Sequence, residues 1–275
     1  MLFYSILFFA CGKKKPMSDY EKDNDNDGVK YALDCDDNNP TITNKISEDQ
    51  DCDGVLTIED CDDNDPTITN KISEDQDCDG IIEPFFLTSN GFTIRCPIAT
   101  IGDKGVVNGI TYTKRDRAGL EELIVSERFD ELEFTCTSSI SDMSELFEKK
   151  IFNSNIGGWD TSNVTNMSAM FNNAGSFNQD IGDWNVSNVI NMSRMFAGVL
   201  SFNQDIGDWD TSNVTDISAM FVNARSFNQD IGDWNVSNVT NMKEVFSQGF
   251  SFNQDIGDWN VSNVINMSRM FAGVL

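Results

Sequence analysis

The 275-residue sequence contains no histidine and few basic residues: 19 Lys and Arg stand against 45 Asp and Glu, a formal net charge of −26. Without histidine, the Ser–His and Cys–His nucleophile pairs are excluded, and so is the commonest zinc ligand. The charge balance excludes nucleic-acid binding, since neutralising phosphate requires Lys and Arg. Anionic lipid also repels an acidic surface, so any membrane attachment is expected to be covalent.

Long apolar runs are scarce as well. The N-terminal run Leu2–Ala10 is too short to span a bilayer and ends in Phe-Phe-Ala, directly before Cys11. A short apolar run that ends in a small residue is typical of a signal peptide, and a cysteine at the next position resembles a bacterial lipobox. We therefore predict a signal peptide over 1–10 and a linker over 11–22 that is lipidated at Cys11, facing outward from the outer membrane. A plain secretory signal and a misassigned start codon are the alternatives.

Six cysteines remain after Cys11 is assigned to lipid, and an exported chain is expected to form disulfides. Six cysteines permit 15 connectivities. We favour three pairs, of which the first two follow from a shift of 26 residues between equivalent cysteines. The favoured pairs are Cys35–Cys52, Cys61–Cys78 and Cys96–Cys136.

Residues 23–83 form an acidic repeat with a period of 26 residues, containing 20 Asp and Glu against 3 Lys. Asp23, Asp25 and Asp27 alternate, a glycine follows, and Asp34 lies eleven residues after the first acid. This is the spacing of a twelve-residue calcium loop, in which a backbone carbonyl fills position 7. A second loop repeats the spacing completely, whereas a third lacks an acid at its twelfth position. The predicted Ca²⁺ ligands are Asp23, Asp25, Asp27, Val29, Asp34, Asp49, Asp51, Asp53, Val55, Asp60, Asp75, Asp77 and Asp79.

No amphipathic helix flanks these loops, so they are not EF-hands. The run Asp-x-Asp-x-Asp-Gly followed by Asp-Cys-Asp-Asp resembles thrombospondin type 3 repeats and the metal-binding motif of the MopE type. That resemblance implies a segment that folds around its ions and disulfides. A solvated acidic linker is the alternative. Mg²⁺ is disfavoured because the ligand count suits the larger ion.

Residues 84–139 are expected to cap a repeat array. The strings FTIRCP, GVVNGITYT and ELEFTCT have the β-branched and aromatic content of short strands, and Asn-Gly at 108–109 is a hairpin signal. Three apolar residues at helical spacing predict a helix within 117–128. Such a unit would cover the first coil of the array, whose apolar edge is otherwise exposed. The charged cluster at 114–117 is interpreted as a solvated face.

Residues 140–275 repeat with a period of 25 residues, which indicates a solenoid or array. The string SFNQDIGDW occurs four times, and residues 185–200 are identical to 260–275. Tryptophan recurs at 159, 184, 209, 234 and 259. The methionine and tryptophan columns are predicted to form the core.

Each unit is predicted to contain one short strand and one short helix. Val189, Met192, Met195 and Phe196 have the spacing of one helix face, and the stretch 179–186 reads as strand plus turn. This composition predicts an α/β repeat solenoid of the leucine-rich-repeat type, preceded by an irregular, calcium-bound, disulfide-linked stalk. Asn188 and its equivalents are expected to form a ladder that hydrogen-bonds the backbone.

The pattern W-[DN]-[TV]-S-N-V-x-[ND]-[MI]-S-x-M-F…S-F-N-Q-D-I-G resembles the BspA-type leucine-rich-repeat surface proteins. The resemblance implies a bacterial surface protein that adheres to host or matrix proteins or to other cells, and it supplies no catalytic residues. The sequence stops at Leu275 in the middle of a unit, from which we expect further repeats or another domain beyond it.

These observations predict a calcium-stabilised cell-surface lipoprotein that binds a protein or polysaccharide on a neighbouring surface. Regular spacing would give multivalent contact with an extended partner. The predicted ligand face contains Gln179, Asp180, Asp183 and Asn185 and their equivalents. A structural spacer without a specific ligand is the alternative. An enzyme is not expected, because a single active site rarely recurs every 25 residues.

Overall fold

A computed structural model of the chain describes residues 83–274. Within this range lie the cap segment, defined here as residues 83–139, and the repeat array, defined as residues 140–274. The predicted signal peptide, lipidated linker and calcium-binding repeats lie outside the described residues.

The cap segment contains two small sheets. In the first, β1 (Phe86–Leu87) pairs antiparallel with β2 (Ile94–Arg95). In the second, β3 (Lys104–Val107) and β4 (Ile110–Lys114) form an antiparallel hairpin, and β4 also pairs in parallel with β5 (Thr135–Cys136). The β3–β4 turn has positive φ at both Asn108 and Gly109, 51° and 80°. Two such residues define the type I′ turn that the Asn-Gly pair predicted.

Helix α1 (Arg117–Val125) lies between β4 and β5. It begins at Asp116, whose Oδ1 accepts a hydrogen bond from the Gly119 amide at 2.9 Å, an N-cap that satisfies one of the first free N–H groups. The helix buries the three apolar residues that predicted it, Leu120, Leu123 and Ile124. It is shorter than predicted because Glu127 turns into the left-handed region with φ of 56°.

The third predicted strand of the cap segment is mostly a 3₁₀ helix, Phe129–Phe134, followed by the two residues of β5. The 3₁₀ turn buries Leu132 completely and directs its carbonyl at the Trp159 indole, whose Nε1 donates at 2.9 Å. Cys96 and Cys136 form the predicted disulfide, with a Cα–Cα distance of 6.3 Å.

The units of the repeat array consist of consecutive turns and one isolated parallel bridge each, in place of the predicted helix and strand. The bridges join equivalent residues of successive units: Asp142–Asn166, Asn166–Asn191, Asn191–Asp216, Asp216–Asn241 and Asn241–Asn266.

Backbone conformation explains this arrangement. Ala169 and Asn173 both have positive φ, 54° and 59°, and the pattern recurs at two positions in every unit. Two left-handed residues four positions apart in each unit interrupt both a helix and a strand. Alternate amides donate to the neighbouring unit: Ala169 donates to the Ser193 carbonyl at 2.8 Å, and Phe171 to the Met195 carbonyl at 3.0 Å.

Columns of stacked aromatic rings fill the interior of the array. One column joins phenylalanines of six successive units at centroid distances of 5.6–5.8 Å, with neighbouring rings within 12° of parallel. Its members are Phe147, Phe171, Phe196, Phe221, Phe246 and Phe271. The five tryptophans are all at least 93% buried, so the predicted tryptophan core is confirmed. The separations lie within the range of offset-stacked pairs, about 4.5–7 Å.

Each buried indole is also tied to the preceding unit. The Trp184 Nε1 donates to the Ile156 carbonyl at 3.2 Å, and Trp209 makes the same bond to Ile181 at 3.1 Å. Trp234 and Trp259 repeat it at 2.9 and 3.0 Å. Because a buried N–H without a partner is costly, this bond fixes the register between units as well as adding to their packing.

Candidate functional site

Most of the predicted site residues lie outside the described part of the chain. These are the predicted calcium ligands Asp23, Asp25, Asp27, Val29, Asp34, Asp49, Asp51, Asp53, Val55, Asp60, Asp75, Asp77 and Asp79, the lipidation site Cys11, and the cysteines Cys35, Cys52, Cys61 and Cys78. Their roles stay predictions. In residues 83–274 no group of three or more acidic or cysteine side chains is placed to hold a metal ion. Over the same range, no helix has the length and apolar character needed to cross a membrane.

Two side chains of the predicted ligand face form hydrogen bonds within the array, one between units and one within its own turn. The Gln179 Nε2 donates to the Asn153 carbonyl of the preceding unit at 2.9 Å, and Gln204, Gln229 and Gln254 make the equivalent bond at 2.8–3.1 Å. Asn185 is exposed, but its Oδ1 accepts from the amide and the hydroxyl of Ser187 at 3.1 and 2.7 Å. These side chains are therefore largely occupied by the fold.

The aspartates of the same face are more accessible. Asp180 is exposed, with one carboxylate oxygen accepting from the Gly182 amide at 3.0 Å. Asp183 is exposed and forms no ion pair with a described residue. Its equivalents Asp208, Asp233 and Asp258 are exposed in the same way. The structure thus places a column of carboxylates along the array, one before the tryptophan of each unit after the first.

The predicted asparagine ladder is confirmed. The Asn188 Nδ2 donates to the Ser162 carbonyl at 2.7 Å, one unit back, and Asn163, Asn213, Asn238 and Asn263 do the same at 2.6–2.8 Å. These bonds stabilise the stacking of successive units.

A groove of about 430 Å³ that sequence reasoning missed lies where the cap segment meets the first units. Its walls include Phe92, Ile110 and Tyr112 of the cap segment, and its acidic lining residues are Glu133, Asp180 and Asp183. We call it the cap groove. Phe92 and Ile110 are 61% and 44% exposed.

One glycine allows the cap segment to sit there. Every later unit has aspartate directly before its tryptophan, but the first has Gly158. The Ile94 amide donates to the Gly158 carbonyl at 2.9 Å, and a Cβ on Gly158 would lie 3.1 Å from the Phe92 carbonyl. A side chain at this position would therefore press on the cap segment. This break in the repeat was the signal in the sequence that could have pointed to the groove.

All the charged residues that line the cap groove are acidic. Burial, and then the nearby Glu133 carboxylate, raise the pKa of the Tyr112 phenol. Glu133 has a neutral partner, since the Asn155 Nδ2 donates to its Oε1 at 3.2 Å. No lysine or arginine is among the residues that line the groove. The three carboxylates therefore face an apolar wall without a compensating cation from the described chain.

The charged cluster at 114–117 is not the solvated face that we predicted. Lys114 is 96% buried, and its Nζ donates to the Cys96 carbonyl at 2.8 Å; burial lowers the pKa of this ammonium group. Arg115 pairs with Glu131 at 3.2 Å. Arg117 donates to the carbonyls of Asp142 and Ser144 at 2.9 and 2.7 Å, which joins the cap segment to the array.

Comparison with known proteins gives one family. The chain matches no curated protein and no solved structure. A family profile described as "Mycoplasma protein of unknown function, DUF285" matches residues 125–213 and 200–274. The two matches cover the repeat array and the end of the cap segment, which is more than half of the sequence. The chain belongs to the DUF285 family.

Proposed function

We propose that this protein is a calcium-stabilised bacterial lipoprotein, held at the outer membrane by its lipid, that adheres to a protein or polysaccharide on a neighbouring surface. It carries no catalytic role in this proposal. The observation that carries the proposal is the column of exposed aspartates Asp183, Asp208, Asp233 and Asp258, one in each unit after the first. Weak contacts at a fixed spacing add through effective concentration when the partner is extended.

The fold class belongs to the same proposal. We assign the array to the leucine-rich-repeat-like solenoids, supported by the 25-residue period, the parallel bridge in each unit and the asparagine ladder. The calcium-binding stalk rests on the aspartate spacing of residues 23–83 alone. Lipid attachment rests on the apolar run before Cys11.

The adhesion proposal is tested by binding of the full chain, in calcium, to panels of matrix proteins and polysaccharides. The test variant replaces Asp183, Asp208, Asp233 and Asp258 with asparagine, which keeps shape and removes charge. We expect binding to at least one extended ligand and a loss of about tenfold or more in the variant, because multivalent contacts are lost together.

A matched control changes another exposed column. Ile190 and Ile265 are 49% and 87% exposed, and threonine occupies the equivalent positions 165, 215 and 240. The double variant Ile190→Thr and Ile265→Thr should bind like the wild type. Failure of the wild type to bind any ligand on either panel would refute adhesion.

The second candidate is a structural spacer without a specific ligand. It is favoured by the number of polar side chains, such as Gln179 and Asn188, that are used in bonds between units. A spacer predicts that cells lacking residues 140–275 still attach to surfaces like wild-type cells. Loss of attachment on that deletion would argue against it.

A further inference from the structure

The cap groove differs from the repeated face in occurring once in the described chain. It forms only where Gly158 admits the cap segment, and its apolar walls come from residues without equivalents in later units. Its volume of about 430 Å³ lies within the range of about 300–1,000 Å³ that is usual for ligand sites. It is therefore a discrete site in addition to the repeated carboxylates.

The lining chemistry identifies the class of occupant. Phe92, Ile110 and Tyr112 supply apolar and aromatic surface, and aromatic rings attract cations as well as apolar groups. Glu133, Asp180 and Asp183 are all exposed, and none forms an ion pair with a described residue. A neutral ligand would cover the apolar wall but leave three carboxylates uncompensated, and an anionic one would be repelled.

We infer that the cap groove binds an extended peptide segment of a partner protein in which lysine or arginine alternates with large apolar side chains. The apolar side chains pack on Phe92 and Ile110, and the cations face Glu133 and Asp183. The inference goes beyond the proposed adhesion function, since it needs only the first units of the array. Asp183 lines the cap groove and also belongs to the column of exposed aspartates.

The inference is tested by calorimetric titration of the full chain with a blocked peptide of sequence Lys-Phe-Lys-Phe-Lys-Phe. Two comparison peptides replace either every lysine with glutamate or every phenylalanine with glycine. We expect binding of the first peptide that weakens as salt is added, because salt screens exposed charges. Both comparison peptides should bind at least tenfold more weakly.

Variants locate the site. Glu133→Gln should weaken binding by up to about fivefold, the upper end of the range for one exposed charge pair, and Phe92→Ser should weaken it about tenfold or more. Both side chains are exposed, so the fold tolerates the changes. The matched controls, Asp233→Asn and Phe250→Ser, alter an exposed aspartate and an exposed phenylalanine within the array and should leave binding unchanged.

Several results would overturn the inference. One is the absence of binding to the lysine–phenylalanine peptide, and another is equal binding of the glutamate peptide. A third is that Asp233→Asn and Phe250→Ser weaken peptide binding as much as Glu133→Gln and Phe92→Ser do. That result would place the peptide on the repeated face. Displacement of the peptide by a neutral oligosaccharide such as maltohexaose would show that the groove takes glycans instead. Loss of peptide binding with intact adhesion to a matrix panel would leave the adhesion proposal standing.

Discussion

Gly198 occupies a left-handed position of its unit, with φ of 71°, where other units carry residues such as Asn173 and Asn223. Gly198→Ala should lower the free energy of unfolding by about 1–2 kcal/mol, because a Cβ disfavours this backbone region. The added carbon would also overlap the Asn173 side-chain amide. Urea denaturation of the full chain measures the change.

Gly175→Ala is the matched control. No atom lies within 4 Å of a Cβ placed on Gly175, and its φ is not in the left-handed region. Alanine there should be neutral or stabilising by up to about 1 kcal/mol. Equal midpoints for the two variants would show that left-handed strain does not shape the turns.

Asp210 offers a second prediction at the residue scale. Hydrogen bonds from the Ser212 hydroxyl and amide, the latter at 3.0 Å, hold the pKa of Asp210 below its ordinary value of 3.8. A depressed carboxyl pKa contributes stability that is present above the unfolded-state value and is lost as pH falls through the folded-state value. This contribution should therefore disappear only below about pH 4.

Carbon-detected NMR titration of the Asp210 carboxylate would measure this pKa directly. Ser212→Ala should raise the pKa toward the ordinary value, because both the hydroxyl donor and the rigidity of the turn are reduced. An unchanged pKa in that variant would contradict the assigned cause.

At the scale of elements, the contact between cap segment and array depends on a charged pair. Asp160 is 98% buried and accepts from the Arg95 Nε at 3.2 Å, while its other oxygen holds the Ser162 amide and hydroxyl. Asp160→Asn keeps the local turn and removes the charge. We expect a loss of about 1–3 kcal/mol in the free energy of unfolding, the cost of weakening a charged hydrogen bond.

Asp210→Asn supplies the comparison, since Asp210 holds the same position two units later without an arginine partner among the described residues. Asparagine already stands there in other units, including Asn185 and Asn235. This change should stay within about 0.5 kcal/mol at neutral pH. Similar losses for both variants would mean that the Arg95 pair does not anchor the cap segment.

Elements were predictable where the sequence signal was local. Asn108-Gly109 gave the hairpin, and the apolar spacing of Leu120, Leu123 and Ile124 gave α1. Within the array, the spacing of Val189, Met192 and Met195 correctly marked buried positions, but successive turns bury residues at nearly the same interval as a helix. Left-handed backbone at residues such as Ala169 and Arg194 leaves no mark in composition, so the turns could not be foreseen.

The candidate sites also differ in how far they could be predicted, because only some of them depend on local or periodic sequence signals. A repeated face follows from periodicity, and the exposure of Asp183 agrees with its placement there. Whether Gln179 is free or bonded depends on the carbonyl of another unit, which the sequence alone does not position. The cap groove depends on the missing side chain of Gly158 and on contacts more than 60 residues apart along the chain, such as Ile94 with Trp159.

At the scale of the whole molecule, the prediction concerns metal. Removing calcium with EDTA should unfold residues 23–83, because a segment with little apolar content folds around its ions. Limited proteolysis and circular dichroism of the full chain measure this change. All five tryptophans lie in the array and are buried, so their emission reports the array separately and serves as the internal control.

The expected result is rapid cleavage between residues 16 and 83 in EDTA, slow cleavage in calcium, and restoration when calcium is added back. Identical cleavage and circular dichroism with calcium and with EDTA would leave the acidic segment as a solvated linker. In that case the calcium-binding stalk would no longer be part of the proposed function. The proposals for the array and the cap groove would stand unchanged.

Gly158 has a consequence for how such a protein changes over generations. Only the first unit lacks the aspartate before its tryptophan. Later units can therefore be duplicated or deleted without changing the contact between the cap segment and the first unit. Identical stretches such as 185–200 and 260–275 favour recombination between copies, and each extra copy adds one rung of about 4.8 Å. Duplication or deletion of later units can thus change the number of units in the array, while the cap groove at the first unit is inherited unchanged.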